Sequence, residues 1–138
     1  MAAGSSALSG TSAKARGAGP GELFTTPQLW RLDEALSAAD RQTGLTFSVY
    51  VGELDLPSRE AAGQLQAQLG VRADWAVLIA VSPNQRVLEI VTGPEARRVL
   101  PDRVCSLAVL SMTAAFEGGD LAGGLVTGLR MLADQARH

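Results

Sequence analysis

Histidine and cysteine are nearly missing from this 138-residue chain, and their scarcity excludes several chemistries at once. The single histidine, His138, is the last residue, so the interior holds no imidazole for a Ser-His-Asp or Cys-His nucleophilic system. His138 itself reads as a solvated terminus. The same inventory removes a zinc site of the His/Cys type. Cys105 is alone, so no intrachain disulfide forms. It lies on the apolar stripe of a helix and reads as a small core hydrophobe. No Gly-x-Gly-x-x-Gly or Walker-type loop follows a strand, which leaves nucleotide binding through a glycine cradle without support.

Aromatic residues and net charge are low as well. Two Trp, one Tyr and three Phe supply no stacking platform for bases. A formal charge of −2, with Lys14 the sole lysine and the arginines scattered, supplies no attraction to nucleic acid. The arginine-for-lysine bias fits a GC-rich bacterial genome. The longest apolar run, Trp75 to Val81, is strand-sized, so no transmembrane segment is expected. Met1 to Gly21 is small, polar and glycine-rich and has no apolar h-region. Residues 1–22 are therefore expected to form a disordered tail, residues 23–138 a single domain, and the protein to be cytoplasmic.

What is present reads as alternating helices and strands. Thr25-Thr26-Pro27 places a hydroxyl at an N-cap and a proline at the first helical position. Leu29, Leu32, Leu36 and Ala39 then recur at helical spacing, and Gly44 supplies the stop. Leu45, Phe47, Val49 and Val51 alternate with Thr46, Ser48 and Tyr50, a strand with two unlike faces. After a loop over Gly52 to Pro57, Ala62, Leu65 and Leu69 mark a second helix that ends at Gly70. Trp75 to Val81 is apolar throughout, as expected of a central strand covered on both faces. A Pro83-Asn84-Gln85 turn returns the chain as an antiparallel strand over Arg86 to Thr92. Helices follow over Pro101 to Phe116, with Cys105, Val109, Met112 and Phe116 inward, and from Asp120, with Leu121, Leu125, Leu129 and Leu132 inward. Gly124 and Gly128 lie close to that last face and permit close approach of a neighbour.

The first two strands flank a helix, so they pair in parallel through a right-handed crossover. The expected fold is a three-layer α/β/α sandwich with a small mixed sheet and the strand Trp75–Val81 at its centre.

The remaining chemistry rests on carboxylates. Glu89 shares a strand face with Val87 and Val91, and is either a solvent-edge residue, the favoured reading, or a partly buried acid with an arginine partner. Glu53 and Asp55 follow the first strand. Asp74 begins the second strand and Gly93 ends the third, so hairpin geometry makes them neighbours, and the loop carrying Glu95 and Asp102 leaves from there. If the turn Glu117-Gly118-Gly119-Asp120 folds back to the same end, oxygen ligands converge. Carboxylates without histidine suit calcium or magnesium. The structural alternative is a cap at Asp120, a helix-start charge at Asp102 and a strand-entry turn at Asp74.

The run Asp74-Trp75-Ala76-Val77-Leu78-Ile79-Ala80-Val81-Ser82-Pro83, followed by an arginine-bearing turn and a strand ending at Gly93, resembles the TPM domain. So do Gly93 to Asp102 and Phe116-Glu117-Gly118-Gly119-Asp120-Leu121-Ala122-Gly123-Gly124-Leu125. Weaker similarity reaches back to about Gln28. The resemblance implies an α/β/α sandwich and a family associated with phosphatase activity, divalent-cation binding and assembly or repair of membrane protein complexes. Asp74, Asp102 and Asp120 stand at acidic positions of that pattern and are the candidate metal ligands. Val91 and Arg97 replace two other acids of the pattern, and Trp75-Ala76 replaces its Asn-Gly. Two functions follow as expectations. The first is a non-catalytic interaction or accessory module with a protein partner, no catalytic residue and no cofactor. The alternative is a cation-dependent phosphatase in which the three aspartates hold calcium or magnesium and Arg97 binds a phosphate oxygen.

Overall fold

The computed structural model describes residues 23–136. The expected tail over 1–22 and His138 lie outside the described residues. Helix α1 (Thr26–Thr43) opens on the expected hydroxyl cap, at Thr25, which makes Pro27 the second helical residue and not the first. The Thr25 hydroxyl accepts from the Gln28 amide at 3.2 Å, and the Gln28 side chain accepts from the Thr25 amide at 2.8 Å. Gly44 closes the helix in the left-handed region, at φ 80°.

Strands β1 (Thr46–Val51), β2 (Ala76–Ser82) and β3 (Val87–Thr92) form one mixed sheet in the order β1-β2-β3. β1 and β2 are parallel with Phe47 beside Val77, and β2 and β3 are antiparallel with Ile79 beside Ile90. Period-two alternation then sorts the side chains. Phe47, Val49, Val51, Val77, Ile79, Val81, Leu88 and Ile90 all contribute to one face and the main core. Tyr50, Leu78, Ala80, Val87 and Val91 contribute to the other.

Three helices cover the main face: α1, α4 (Asp102–Glu117) and α5 (Leu121–Ala136). α5 packs on both α1 and α4, so it lies between them. The second face is covered by the ten-residue α2 (Ser58–Ala67). The result is the three-layer mixed α/β arrangement with β2 at its centre. The α4–α5 contact is close because α5 presents glycine. A Cβ on Gly124 would lie 2.8 Å from the Phe116 ring and 2.9 Å from the Ala115 methyl.

Three local readings are corrected. Trp75 is not part of the central strand: Gly70–Trp75 forms a 3-10 helix, β2 begins at Ala76, and the indole is 50% exposed. The buried Gln66 amide holds this segment by donating to the carbonyls of Ala73 at 2.7 Å and Ala76 at 3.2 Å. The hairpin turn has four residues, because Ser82 pairs with Val87 and Arg86 adopts φ 57°. The stretch after Gly93 is a short helix, α3 (Pro94–Val99), where a loop was expected. It sits against the 3-10 helix.

Candidate binding surface

The two ends of the sheet decide where the acids go. At one end, the Gly93 amide donates to Ala76 O at 2.9 Å, so Asp74 and Gly93 are neighbours as the hairpin requires. A Cβ on Gly93 would collide with the carbonyls of Ala73 and Asp74, so glycine is needed for this approach. Asp102 begins α4 just beyond α3.

The Glu117–Asp120 turn is at the other end. Glu117 and Gly119 line a groove of about 520 Å³ together with Ser82, Pro83 and Arg86 of the hairpin turn. Between Asp102 and Asp120 runs the whole of α4, about 24 Å at the rise of an α-helix. The fold therefore does not bring Asp74, Asp102 and Asp120 together. Among the described residues no group of three or more His, Cys, Asp or Glu side chains is placed to hold a metal ion. Asp120 instead caps α5: its Oδ1 accepts from the Gly123 amide at 2.9 Å.

Other candidates have structural employment. Arg97 donates to the Thr92 carbonyl at 2.7 Å, folding α3 back on the end of β3. Cys105 is buried, and burial followed by the nearby Asp102 charge pushes its thiol pKa upward, away from thiolate chemistry. Glu89 is the partly buried acid and not a solvent-edge residue. It accepts from the Ser58 hydroxyl at 2.7 Å and lies 3.5 Å from the Arg59 guanidinium, which also donates to Ile90 O. Both partners belong to the start of α2, thirty residues away in sequence, so the strand pattern alone carried no sign of them. The ionic cluster fastens α2 to the edge strand.

A feature that local packing does not absorb is the outward side of α4, where two large aliphatic residues stand exposed one turn apart. Cys105 and Met112 of the expected inward stripe are buried, Val109 and Phe116 are partly buried against the core, and Ala108 is buried beside them. The opposite side is also apolar: Leu107 is 56% exposed and Leu110 is 68% exposed. Arg103, Leu107, Leu110, Ala114 and Glu117 follow one another at spacings of four, three, four and three, and all five are exposed. Their helical angles fall within an arc of about 80° at 100° per residue, all within about 40° of the Arg103 direction. Together they form a straight stripe, basic at the start of the helix, apolar along its middle and acidic at its end.

Residues 3–133 match the model of a family described as "Domain of unknown function (DUF5130)". The chain belongs to the DUF5130 family. Two relatives in Mycobacterium tuberculosis are the uncharacterized proteins MT2543 (strain CDC 1551 / Oshkosh) and Rv2468c (strain ATCC 25618 / H37Rv). Each is 36% identical over 121 residues, 83% of this chain and 71% of the relative. Among solved structures, this DUF5130 chain resembles the N-terminal domain of a protein from P. gingivalis, with a TM-score of 0.72 and 23% identity over 82% of this chain and 76% of that one. It also resembles the BA42 protein of Bizionia argentinensis, with a TM-score of 0.62 and 19% identity over 75% and 74% of the two chains. The N-terminal domain of cg2496 from Corynebacterium glutamicum gives 0.65 and 15% over 82% and 74%. At these identities the likeness is one of fold. No helix among the described residues is long and apolar enough to cross a membrane.

Proposed function

We propose that this DUF5130 domain is a non-catalytic interaction module that docks a protein partner through the outward face of α4. One observation carries the reading: two large aliphatic side chains, Leu107 and Leu110, stand exposed on a helix whose opposite side is locked into the core. Apolar area held in water on a rigid element is stabilised when a partner covers it, and charged ends on the same stripe give that contact a direction. The similarity to the TPM domain supports the same reading. A role in assembling or repairing membrane protein complexes calls for a docking surface rather than a reacting centre.

The test is site-specific photocrosslinking in a native bacterial lysate, with a photoreactive amino acid at Leu110 and, as a control, at Trp30 on α1. Trp30 is equally exposed, at 69%, but stands on another helix. A crosslinked protein species specific to position 110 is expected. Equal capture from both positions, or none from 110, contradicts the assignment.

A further inference from the structure

The order of charges along the α4 stripe identifies a partner. Arg103 is in the first turn of α4 and Glu117 is its last residue. Each is at the unfavourable end of its own helix, since the N-terminus carries partial positive charge and the C-terminus partial negative charge. Neither is in an ion pair among the described residues. A surface helix optimised for itself carries the reverse arrangement. The pattern becomes favourable when a second, antiparallel helix with the same sequence lies against it.

Position 110 is midway between 103 and 117, so a two-fold axis through Leu110 sets Arg103 of one copy opposite Glu117 of the other, twice. The same operation places each Leu107 beside the other copy's Thr113 and Ala114, a small residue opposite a large one. Each misplaced charge then meets an opposite charge and the complementary pole of the facing helix. Spacings of four and three are those of an antiparallel helix seam.

Resting on the docking face assigned above, we infer that its occupant is a second copy of this chain, bound by two-fold antiparallel α4–α4 packing centred on Leu110. A single four-turn stripe buries less than the roughly 1,200 Å² of a standard stable interface, so the dimer is weak and its population depends on concentration. Its two symmetric ion pairs make it sensitive to salt.

Sedimentation equilibrium of the full chain, from about 10 μM to about 1 mM, reads the association directly. A reversible monomer–dimer equilibrium is expected, weakened by raised salt and brought below detection by Leu110→Glu, which sets two carboxylates against each other on the axis. Arg103→Glu and Glu117→Arg each turn both cross-pairs repulsive and are expected to weaken dimerisation about tenfold. The double variant, Arg103→Glu with Glu117→Arg, is expected to restore it. Either single variant improves the match to the helix dipole within its own chain, so unfolding does not mimic the loss. Circular dichroism melts verify that.

A chain that stays monomeric to about 1 mM overturns the self-pairing, as does a dimer indifferent to Leu110→Glu or single charge reversals that the double variant fails to rescue. If a monomeric chain still crosslinks a different protein through position 110, the docking face stands and only the self-partner fails. If neither contact forms, both readings fall.

Discussion

Gly128 of α5 sits directly against Met112 of α4: a Cβ there would fall 2.5 Å from the methionine sulfur and 2.6 Å from its Cγ. Met112 is fully buried, so it has no solvent into which to swing. The Gly128→Val substitution is therefore expected to destabilise the fold by about 2 kcal/mol through overpacking, despite the helix propensity it gains. Gly63 is the contrasting case. It lies inside α2 with no atom within 4 Å of a built Cβ. Gly63→Ala is expected to stabilise by about 0.5–1 kcal/mol. Urea denaturation of both variants checks the pair of signs, and a destabilising Gly63→Ala or a neutral Gly128→Val contradicts this packing.

Asp40 gives the fold a pH dependence. Its Oδ1 accepts from the Phe47 amide at 2.7 Å, while its buried Oδ2 finds no hydrogen-bond partner among the described residues. Burial raises its pKa to about 6 from an ordinary 3.8, against the opposing pull of the Phe47 amide, Arg72 and Arg41. The folded state thus holds the proton more tightly than the unfolded state. The associated stability is fully present below pH 3.8 and lost as pH rises through about 6. Asp40→Asn keeps the acceptor for Phe47 and removes the buried charge. After allowance for solvent screening it is expected to stabilise by about 1 kcal/mol at pH 7.5 and to flatten the slope between pH 4 and 6. Thermal melts across that window check it; a destabilised variant at pH 7.5 contradicts it.

Calcium and magnesium are expected to leave the melting temperature unchanged at millimolar concentration, because α4 separates Asp102 from Asp120 and the latter caps α5. A site half-saturated at about 0.01 mM would add roughly 2.7 kcal/mol at 1 mM cation, easily seen in a melt. A cation-dependent rise that disappears in Asp74→Asn would contradict the placement of these acids.

Much of this fold is legible in local residue patterns. A threonine hydroxyl caps α1, Gly44 ends it, and the alternation of β1 and the apolar run of β2 specify a covered sheet. Failures occur where a distant residue decides the outcome. Trp75 extends an apolar run, yet the buried Gln66 amide draws Ala73 and Ala76 into a tighter path and leaves the indole outside. Glu89 looks solvated until Ser58 and Arg59 arrive from the crossover helix. Pro94–Val99 is too short for periodicity to reveal. The candidate site was hidden differently. α4 is apolar on two sides: the inward stripe through Cys105 and Met112 is legible in the sequence, but that Leu107 and Leu110 stay uncovered follows only from where the other elements pack.

The most direct test of the α4 docking face is the ¹⁵N-amide spectrum of the full chain, followed through a concentration series. Shifts confined to the outward side of α4 are expected, largest near Leu107, Leu110 and Ala114, with α1 and α2 unchanged. Shifts centred on α1 or α2, or a spectrum independent of concentration, would contradict self-pairing through α4.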